Sequence, residues 1–334
     1  PALIALLVVL TGCGSPQDRA GAGDASDEGD GLRVALLTSG PVSDAGWYAG
    51  AYEGLLMIRD SLGFHVSHQQ TRSPAEFDEA FRSYAESGYD LVFAHGFEYQ
   101  DAALRASERY PELTIVVSNG GLVAPGLHPL ILRLEEATYL AGMVAGRTTA
   151  TGIIGMVGGV AIPPAVGTFR AFEAGARATN PEVEVLEAFI GSWDDVAAAK
   201  EAAVAQLRRG ADVIVHNTDA ASFGVFQAVR EAVADGTPVW AMGMNRDQND
   251  VAPEVIVGSA VIRIPEAFLL VARLMGPDGL PEGPLLNGLA TGSVDYVPNP
   301  EQGALHPADL LAVLEETREG IRSGTLTVPR VEFL

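Results

Sequence analysis

A single cysteine, Cys13, occurs in a chain of 334 residues. A disulfide framework needs pairs and a Cys-based zinc site needs several thiolates, so both are excluded. Basic residues are also scarce: 21 Lys and Arg stand against 43 Asp and Glu, a formal net charge of −22. Phosphate backbones are bound by clustered Lys and Arg, so no nucleic-acid partner is expected and the charge reads as solubility. The 6 histidines are dispersed. His65 and His68 are an odd number apart on a strand and point to opposite faces, a poor pair for a metal. The chain has no HExxH and no Ser-His-Asp order with a nucleophile elbow. Its glycine loop GMVGG (155–159) is not followed by GK[ST]. No metal or cofactor is expected, and no enzyme.

The apolar start, PALIALLVVL, has the length of a signal-peptide core and falls short of a membrane span. It ends in Leu10-Thr11-Gly12-Cys13, the pattern of a bacterial lipobox whose Cys becomes the lipidated first residue. Residues 1–13 are therefore expected to be a partial lipoprotein signal segment, with Cys13 as the lipid anchor. Residues 14–31 are rich in Gly, Ala, Ser and Asp without apolar periodicity and read as a flexible tether.

What remains is 48% hydrophobic over the whole chain, enough for two domains. RVALLTS (33–39) reads as a buried strand. Ala51, Leu55, Ile58 and Leu62 then recur at helical spacing. Ser73-Pro74-Ala75-Glu76 is a capping box with Pro at the first helical position. FHVSHQQ, YDLVFAH, LTIVVSN, GIIGMVG, VEVLEAF, ADVIVHN and PVWAMGM follow as strands, with helices between most of them. That alternation predicts a mostly parallel sheet with right-handed crossovers. A whole-unit repeat is visible: GYDLVFAHG (88–96) echoes GADVIVHNT (210–218), and each leads through a helix to a strand ending in Asn, at Asn119 and Asn245. The expectation is two similar α/β lobes. Lobe 1 takes residues 32–147 plus 258–282, with the strand VIVGSAVI returning to it. Lobe 2 takes 148–257 plus 283–334.

Two such lobes place two sets of strand-end loops opposite each other. Loops at the carboxyl ends of parallel strands are where α/β proteins hold ligands. Lobe 1 offers Asp44, Trp47 and Tyr48, then His95, Phe97 and Glu98, then Asn119. Lobe 2 offers the GGVAIPP loop, Trp193, His216, Asn217, Asp219 and Asn245. Flat aromatics beside amide and carboxylate edges suit a flat, hydrogen-bonding heterocycle. Each residue also has a structural reading. Trp47 and Trp193 also read as lids on the core, Asp44 as a helix cap, and the two Asn as turn residues. His95 and His216 suit satisfied structural histidines. Asp194, Asp195, Glu135 and Glu136 suit acidic first turns of helices.

The motifs VSDAGWYAGAYEGL, SGYDLVFAHGFEYQDA, LEEATYLAGMVAG, GGVAIPPAVGTFRAFEAGA, NPEVEVLEAFIGSWDD and GADVIVHNTDAASFGVFQA are spread through residues 32–262. In order and spacing they resemble the basic membrane protein (BMP), or PnrA-like, family of ABC-transporter solute-binding lipoproteins. The resemblance implies the periplasmic-binding-protein type I fold: two doubly wound parallel-sheet lobes joined by a multi-strand hinge. It further implies a monomer in the bacterial cell envelope, lipid-anchored on the periplasmic or extracellular face. Such a protein takes a purine nucleoside or nucleobase between its lobes and hands it to an ABC permease. In that frame Asp44 matches a family Asp, while Trp47 and Tyr48 replace Phe and Asn. Asn119 replaces an Asp on the purine edge, Trp193 replaces a stacking Phe, and Asn245 replaces a ribose-binding Asp. Ile262, with Arg263 beside it, replaces a Lys. An ionised Asp only accepts hydrogen bonds whereas Asn also donates, so the guanine edge loses its preference. The stretch HNTDAAS (216–222) leans toward adenine or other purines. The rivals are a lipoprotein that senses its ligand for a membrane kinase or regulator, and a nucleoside hydrolase using Asp44 or Asp219.

Overall fold

The computed structural model describes residues 31–332 except Asp44, Ala45 and Asp278. The signal segment with Cys13, the tether up to residue 30, and Asp44 lie outside the described residues.

The chain opens with β1 (Arg33–Thr38), α1 (Trp47–Leu62), β2 (His65–Gln70), α2 (Pro74–Glu86), β3 (Leu91–His95), α3 (Gln100–Arg109), β4 (Thr114–Ser118) and β5 (Leu127–Leu132). It continues through α4 (Leu134–Thr148), β6 (Ile153–Gly158), α5 (Pro163–Thr179), β7 (Glu184–Phe189), α6 (Val196–Arg208), β8 (Val213–Asn217), α7 (Ser222–Ala234) and β9 (Trp240–Asn245). The last part holds β10 (Ile256–Ile262), α8 (Ile264–Leu274), β11 (Leu285–Asn287), β12 (Val294–Pro298) and α9 (Ala308–Ser323). Two six-stranded sheets result, in the orders β11-β5-β4-β3-β1-β2 and β12-β10-β9-β8-β6-β7. All pairings are parallel except β10 with β12. The repeat read from sequence is thus a repeat of position: β1 to β5 and β6 to β10 occupy the same places in their sheets.

Local chemistry explains the elements. Val34 to Leu37 are all fully buried, as a continuous apolar run demands when helices cover both faces of a parallel sheet. In α2 the Ser73 hydroxyl accepts from the Glu76 amide, the Glu76 carboxylate accepts from the Arg72 amide at 3.0 Å, and Phe77, Phe81 and Tyr84 are buried. Helices α2 and α3 cover one face of the first sheet, and α6 and α7 one face of the second. β5 escapes the sequence reading because it contains Pro129. The strand tolerates the proline because β11 pairs only with Leu130–Leu132, so the first half of β5 is a sheet edge.

The two lobes exchange elements, and this corrects three boundaries, one of them being that residues 285–287 join the first sheet, so the chain returns to lobe 2 after residue 287 and not at 283. β10 hydrogen-bonds along β9 in the second sheet, so VIVGSAVI does not return to the first lobe; only α8 after it does, with Ile264 and Phe268 packed on Gly50 and Gly54 of α1. In mirror fashion α4 leaves the first lobe after β5 and packs on α5, so the chain crosses near residue 133 and not near 147. β11 then completes the first sheet, and β12 the second. A strand buried on both faces reads the same in either sheet, so the apolar pattern could not choose between them. Three segments therefore cross between the lobes, and they are tied to one another. The Arg133 amide donates to the Asn287 carbonyl at 2.8 Å, the Arg263 amide to the Ser293 carbonyl at 2.7 Å, and the Leu289 amide to the Glu136 carboxylate at 2.7 Å.

Helices α4 and α5 meet backbone to backbone. A Cβ on Gly175 would stand 2.0 Å from the Tyr139 carbonyl, and one on Gly142 would stand 2.0 Å from the Phe172 carbonyl. Gly175→Ala is expected to cost about 1–3 kcal/mol or more in urea unfolding, because neither backbone can yield without moving the helix. Gly303→Ala, where a Cβ meets nothing within 4 Å, is expected to cost under about 0.5 kcal/mol.

Candidate functional site

The carboxyl ends of both sheets line one cleft between the lobes, the place where small-molecule sites commonly form in such folds. Trp47, Tyr48, Phe97 and Asn119 reach it from the first lobe, and Trp193, Asp219 and Asn245 from the second. Glu98 and Asn217 also line it, whereas His95 and His216, offered by the same strand ends, are fully buried behind it.

Each aromatic is backed by a fixed group. Trp47 stacks on His95 with centroids 3.9 Å apart and an angle of 24° between the rings. The imidazole is fully buried, and its Nε2–H donates to the Trp47 carbonyl at 3.1 Å while Nδ1 accepts from the Ser118 hydroxyl at 2.8 Å. Those two bonds select one neutral tautomer and hold the indole in place. Trp193 lies over Gly159, where a Cβ would stand 2.2 Å from the ring, and its carbonyl accepts from the Asp219 and Ala221 amides, both at 3.1 Å. Tyr48 lies over Gly40 in the same way, with 2.2 Å from a Cβ to the ring. Its hydroxyl bonds Ser39 at 2.8 Å, and Ser39 donates to the Glu98 carboxylate. Burial pushes the Tyr48 phenol up, reinforced by Asp219 and Glu98, so it stays protonated.

Asn119 and Asn245 both hold left-handed backbone, with φ of 54° and 69°, and are the two non-glycine residues with positive φ among the described residues. Asn tolerates this conformation, which turns the chain sharply off the strand end and aims the amide at the cleft. The Asn119 Oδ1 accepts from the Leu132 amide at 2.8 Å. One lone pair of the amide oxygen is thereby used on β5, which fixes the side chain and orients its Nδ2 as a donor. The turn-residue and site readings of these two positions are therefore compatible.

His216 occupies the strand end of the second lobe that His95 occupies in the first, and packs edge-on against Phe226. It is fully buried, with Nε2 bonded to the Gln248 Oε1 at 2.9 Å and Nδ1 accepting from the Thr218 amide at 3.3 Å. Asp195 is the N-cap of α6, accepting from the Ala198 amide at 2.9 Å. Arg263 turns away from the cleft and donates to the Gly292 carbonyl at 2.7 Å, while Ile262 lines it. Among the described residues no group of His, Cys, Asp and Glu is placed to hold a metal ion, and no helix is long and apolar enough to cross a membrane.

Two charged lining residues were not foreseen as site residues. Glu135, at the start of α4, faces the cleft, and burial pushes its carboxyl up to about 7, with Glu136 adding to the rise and Arg133 and Arg330 opposing it. Sequence allowed only an acidic first turn there. Arg330 arrives from the C-terminal segment after α9, which carries no periodic signal.

Burial also pushes His95 down to about 3 and His216 down to about 4. An unfolded histidine takes a proton near pH 6.5, so the unfolded state binds more protons between those values and stability falls as pH drops below 6.5. Glu135 has the opposite sign: its folded pKa is the higher, so its contribution is lost as pH rises from about 4.5 to about 7. Glu135→Gln is therefore expected to melt higher than wild type at pH 8, with the gap closing toward pH 5, in thermal scans at both values.

A sequence profile described as Bmp, ABC transporter substrate-binding protein PnrA-like, matches residues 32–305. The transcriptional activator protein med of Bacillus subtilis is 25% identical over 294 residues, spanning 88% of this chain and 87% of its own length. A purine-binding protein of Brucella abortus is 26% identical over 307 residues, spanning 91% and 85%. The crystal structure of an ABC transporter solute-binding protein from Aeropyrum pernix aligns with a TM-score of 0.78 at 22% identity, covering 89% of this chain and 92% of that one; this likeness shows the fold.

Proposed function

Because the chain belongs to the PnrA-like family of ABC transporter substrate-binding proteins, with the type I periplasmic-binding-protein fold, we propose that it captures a purine nucleoside or nucleobase between its lobes for an ABC importer. The observation that carries this reading is the pair of backed indoles, Trp47 and Trp193, brought to one cleft from opposite lobes. A flat ring stacks on such platforms without having to order them, which lowers the entropic cost of binding. The family is one of binding proteins and not of enzymes, and the neutral, hydrogen-bonded His95 and His216 are in keeping with that.

The Asn119 donor sets the edge. Its Nδ2 seeks an acceptor, and adenine presents ring nitrogens where guanine presents N1–H and an amino group. Adenine-type purines are therefore favoured. Tyr48, Phe97, Asp219 and Asn245 complete the contact set, together with Asp44. The similarity to a purine-binding protein of Brucella abortus supports the same ligand class. Closure is a hinge motion about the three crossing segments, stabilised by contacts made to both lobes at once. The exposed ion pair of Arg246 with Glu53, 2.9 Å, spans the lobes and adds at most about 1 kcal/mol. The protein acts as a monomer at the extracytoplasmic surface, tethered through lipid on Cys13, and presents its ligand to the permease.

A second reading rests on the similarity to a transcriptional activator of Bacillus subtilis: occupancy of the cleft is reported to a membrane regulator. Capture and closure are common to both, and stimulation of a reconstituted permease by the loaded protein separates them.

Trp193→Ala is expected to weaken adenosine binding by about 5- to 100-fold, the range set by base–aromatic stacking of ~1–3 kcal/mol. Calorimetry checks the affinity. Tryptophan fluorescence, changed by ligand in wild type, should respond less in the variant. Unchanged affinity removes Trp193 from the site.

A further inference from the structure

A second groove lies at the amino ends of the first sheet, at the far end of the lobe from the cleft. Asp90 stands just before β3, Glu112 just before β4, and Glu282 on the loop that leads from α8 into β11. All three line the groove, together with His128 of β5 and apolar side chains such as Pro125 and Leu280. The strands follow in the order β3, β4, β5, β11, and neighbours stand about 4.8 Å apart, so the acids are spread over roughly 14 Å. The loop wall is fixed. Gly276 and Gly279 exchange backbone hydrogen bonds of 3.2 and 3.1 Å around a tight turn, and Leu280 directly after it is buried in the core.

The charge in this groove is of one sign. Among the described residues no Lys or Arg lines it, and Asp90, Glu112 and Glu282 take part in no ion pair. Asp90 accepts from the Arg33 amide at 2.7 Å, but the Arg33 guanidinium is used on the Ser87 carbonyl and the face of Tyr89. His128 is 6% exposed, and its Nδ1 has no hydrogen-bond partner. Burial pushes this histidine down, opposed by the Gly283 and Pro281 carbonyls and by Glu282, so the ring is neutral at pH 7 and keeps one acceptor nitrogen. Buried polar atoms are nearly always hydrogen-bonded, so an unpartnered one in a groove wall is a group that a ligand can satisfy.

We propose that this groove binds a linear polyamine, a methylene chain that carries ammonium groups at intervals. The spread of the acids decides the class. No group of His, Cys, Asp and Glu among the described residues converges on a point as a metal ion requires. Ammonium groups spaced along a flexible chain meet separated carboxylates in turn, each through charge-assisted hydrogen bonds, while the methylenes cover the apolar lining. The His128 imidazole adds a neutral acceptor among the acids. A tri- or tetra-amine reaches from Asp90 to Glu282, and a short diamine does not. The site is separate from the cleft and does not depend on the purine reading.

The test is calorimetry of the purified protein with putrescine, spermidine and spermine at physiological ionic strength, on wild type and on the double variant Glu112→Gln, Glu282→Gln. Wild type is expected to bind one spermine per chain, at least about tenfold tighter than putrescine, the scale of added hydrogen bonds to charged groups. The double variant should lose at least about tenfold in spermine affinity, with an unchanged melting temperature and circular dichroism spectrum reporting an intact fold. No saturable spermine binding, spermine no tighter than putrescine, or a double variant that binds as wild type does overturns the site. So does displacement of spermine by magnesium at equal charge, since that is diffuse attraction to a chain of net charge −22. Competition between spermine and adenosine would put the amine in the cleft and also overturn it.

Discussion

The arrangement depends on three backbone segments that cross between two sheets and hydrogen-bond to one another, at residues 133, 263 and 288–293. Each sheet sends the helix after its fifth strand to the other lobe, α4 one way and α8 the other. Neither lobe can then complete its packing without chain from its partner. Amides at the crossings are spent on neighbouring crossings: Arg133 on Asn287, Arg263 on Ser293. This arrangement fixes which strand ends face each other. The cleft follows from that constraint.

Within the cleft the lining side chains are held by groups that do not line it. His95 is the clearest case. Removed from water, it stays neutral, accepts from Ser118 and donates to the carbonyl of the residue whose ring it stacks on. Gly159 and Gly40 do the same for Trp193 and Tyr48 by lacking a side chain where the rings lie. Asn119 is fixed by the bond its oxygen accepts from the Leu132 amide. Rigid platforms of this sort lose little freedom on binding, which leaves more of the contact energy for affinity and selection.

The sequence made the repeat legible because strand-helix alternation survives in apolar periodicity. Asn119 and Asn245 stood out at equivalent strand ends, and the structure puts both in left-handed backbone facing one cleft. Four features were hidden for physical reasons. β5 contains Pro129, which argues against a strand unless one edge is open. β10 is apolar on both faces and so carries no mark of which sheet it joins. Glu135 reads as an ordinary acidic first turn, and nothing in local pattern tells that the helix begins at a hinge with its first turn in a cleft. Arg330 lies in an aperiodic tail whose course is set by the burial of Val328, a tertiary contact.

The most direct test of the central claim is a crystal structure of the chain grown with adenosine. The account predicts the purine ring stacked on the Trp193 indole, inside the cleft, with the Asn119 Nδ2 donating to a ring nitrogen and both lobes in contact with the ligand. Adenosine bound elsewhere on the surface, or a cleft that stays empty at saturating ligand, would contradict it.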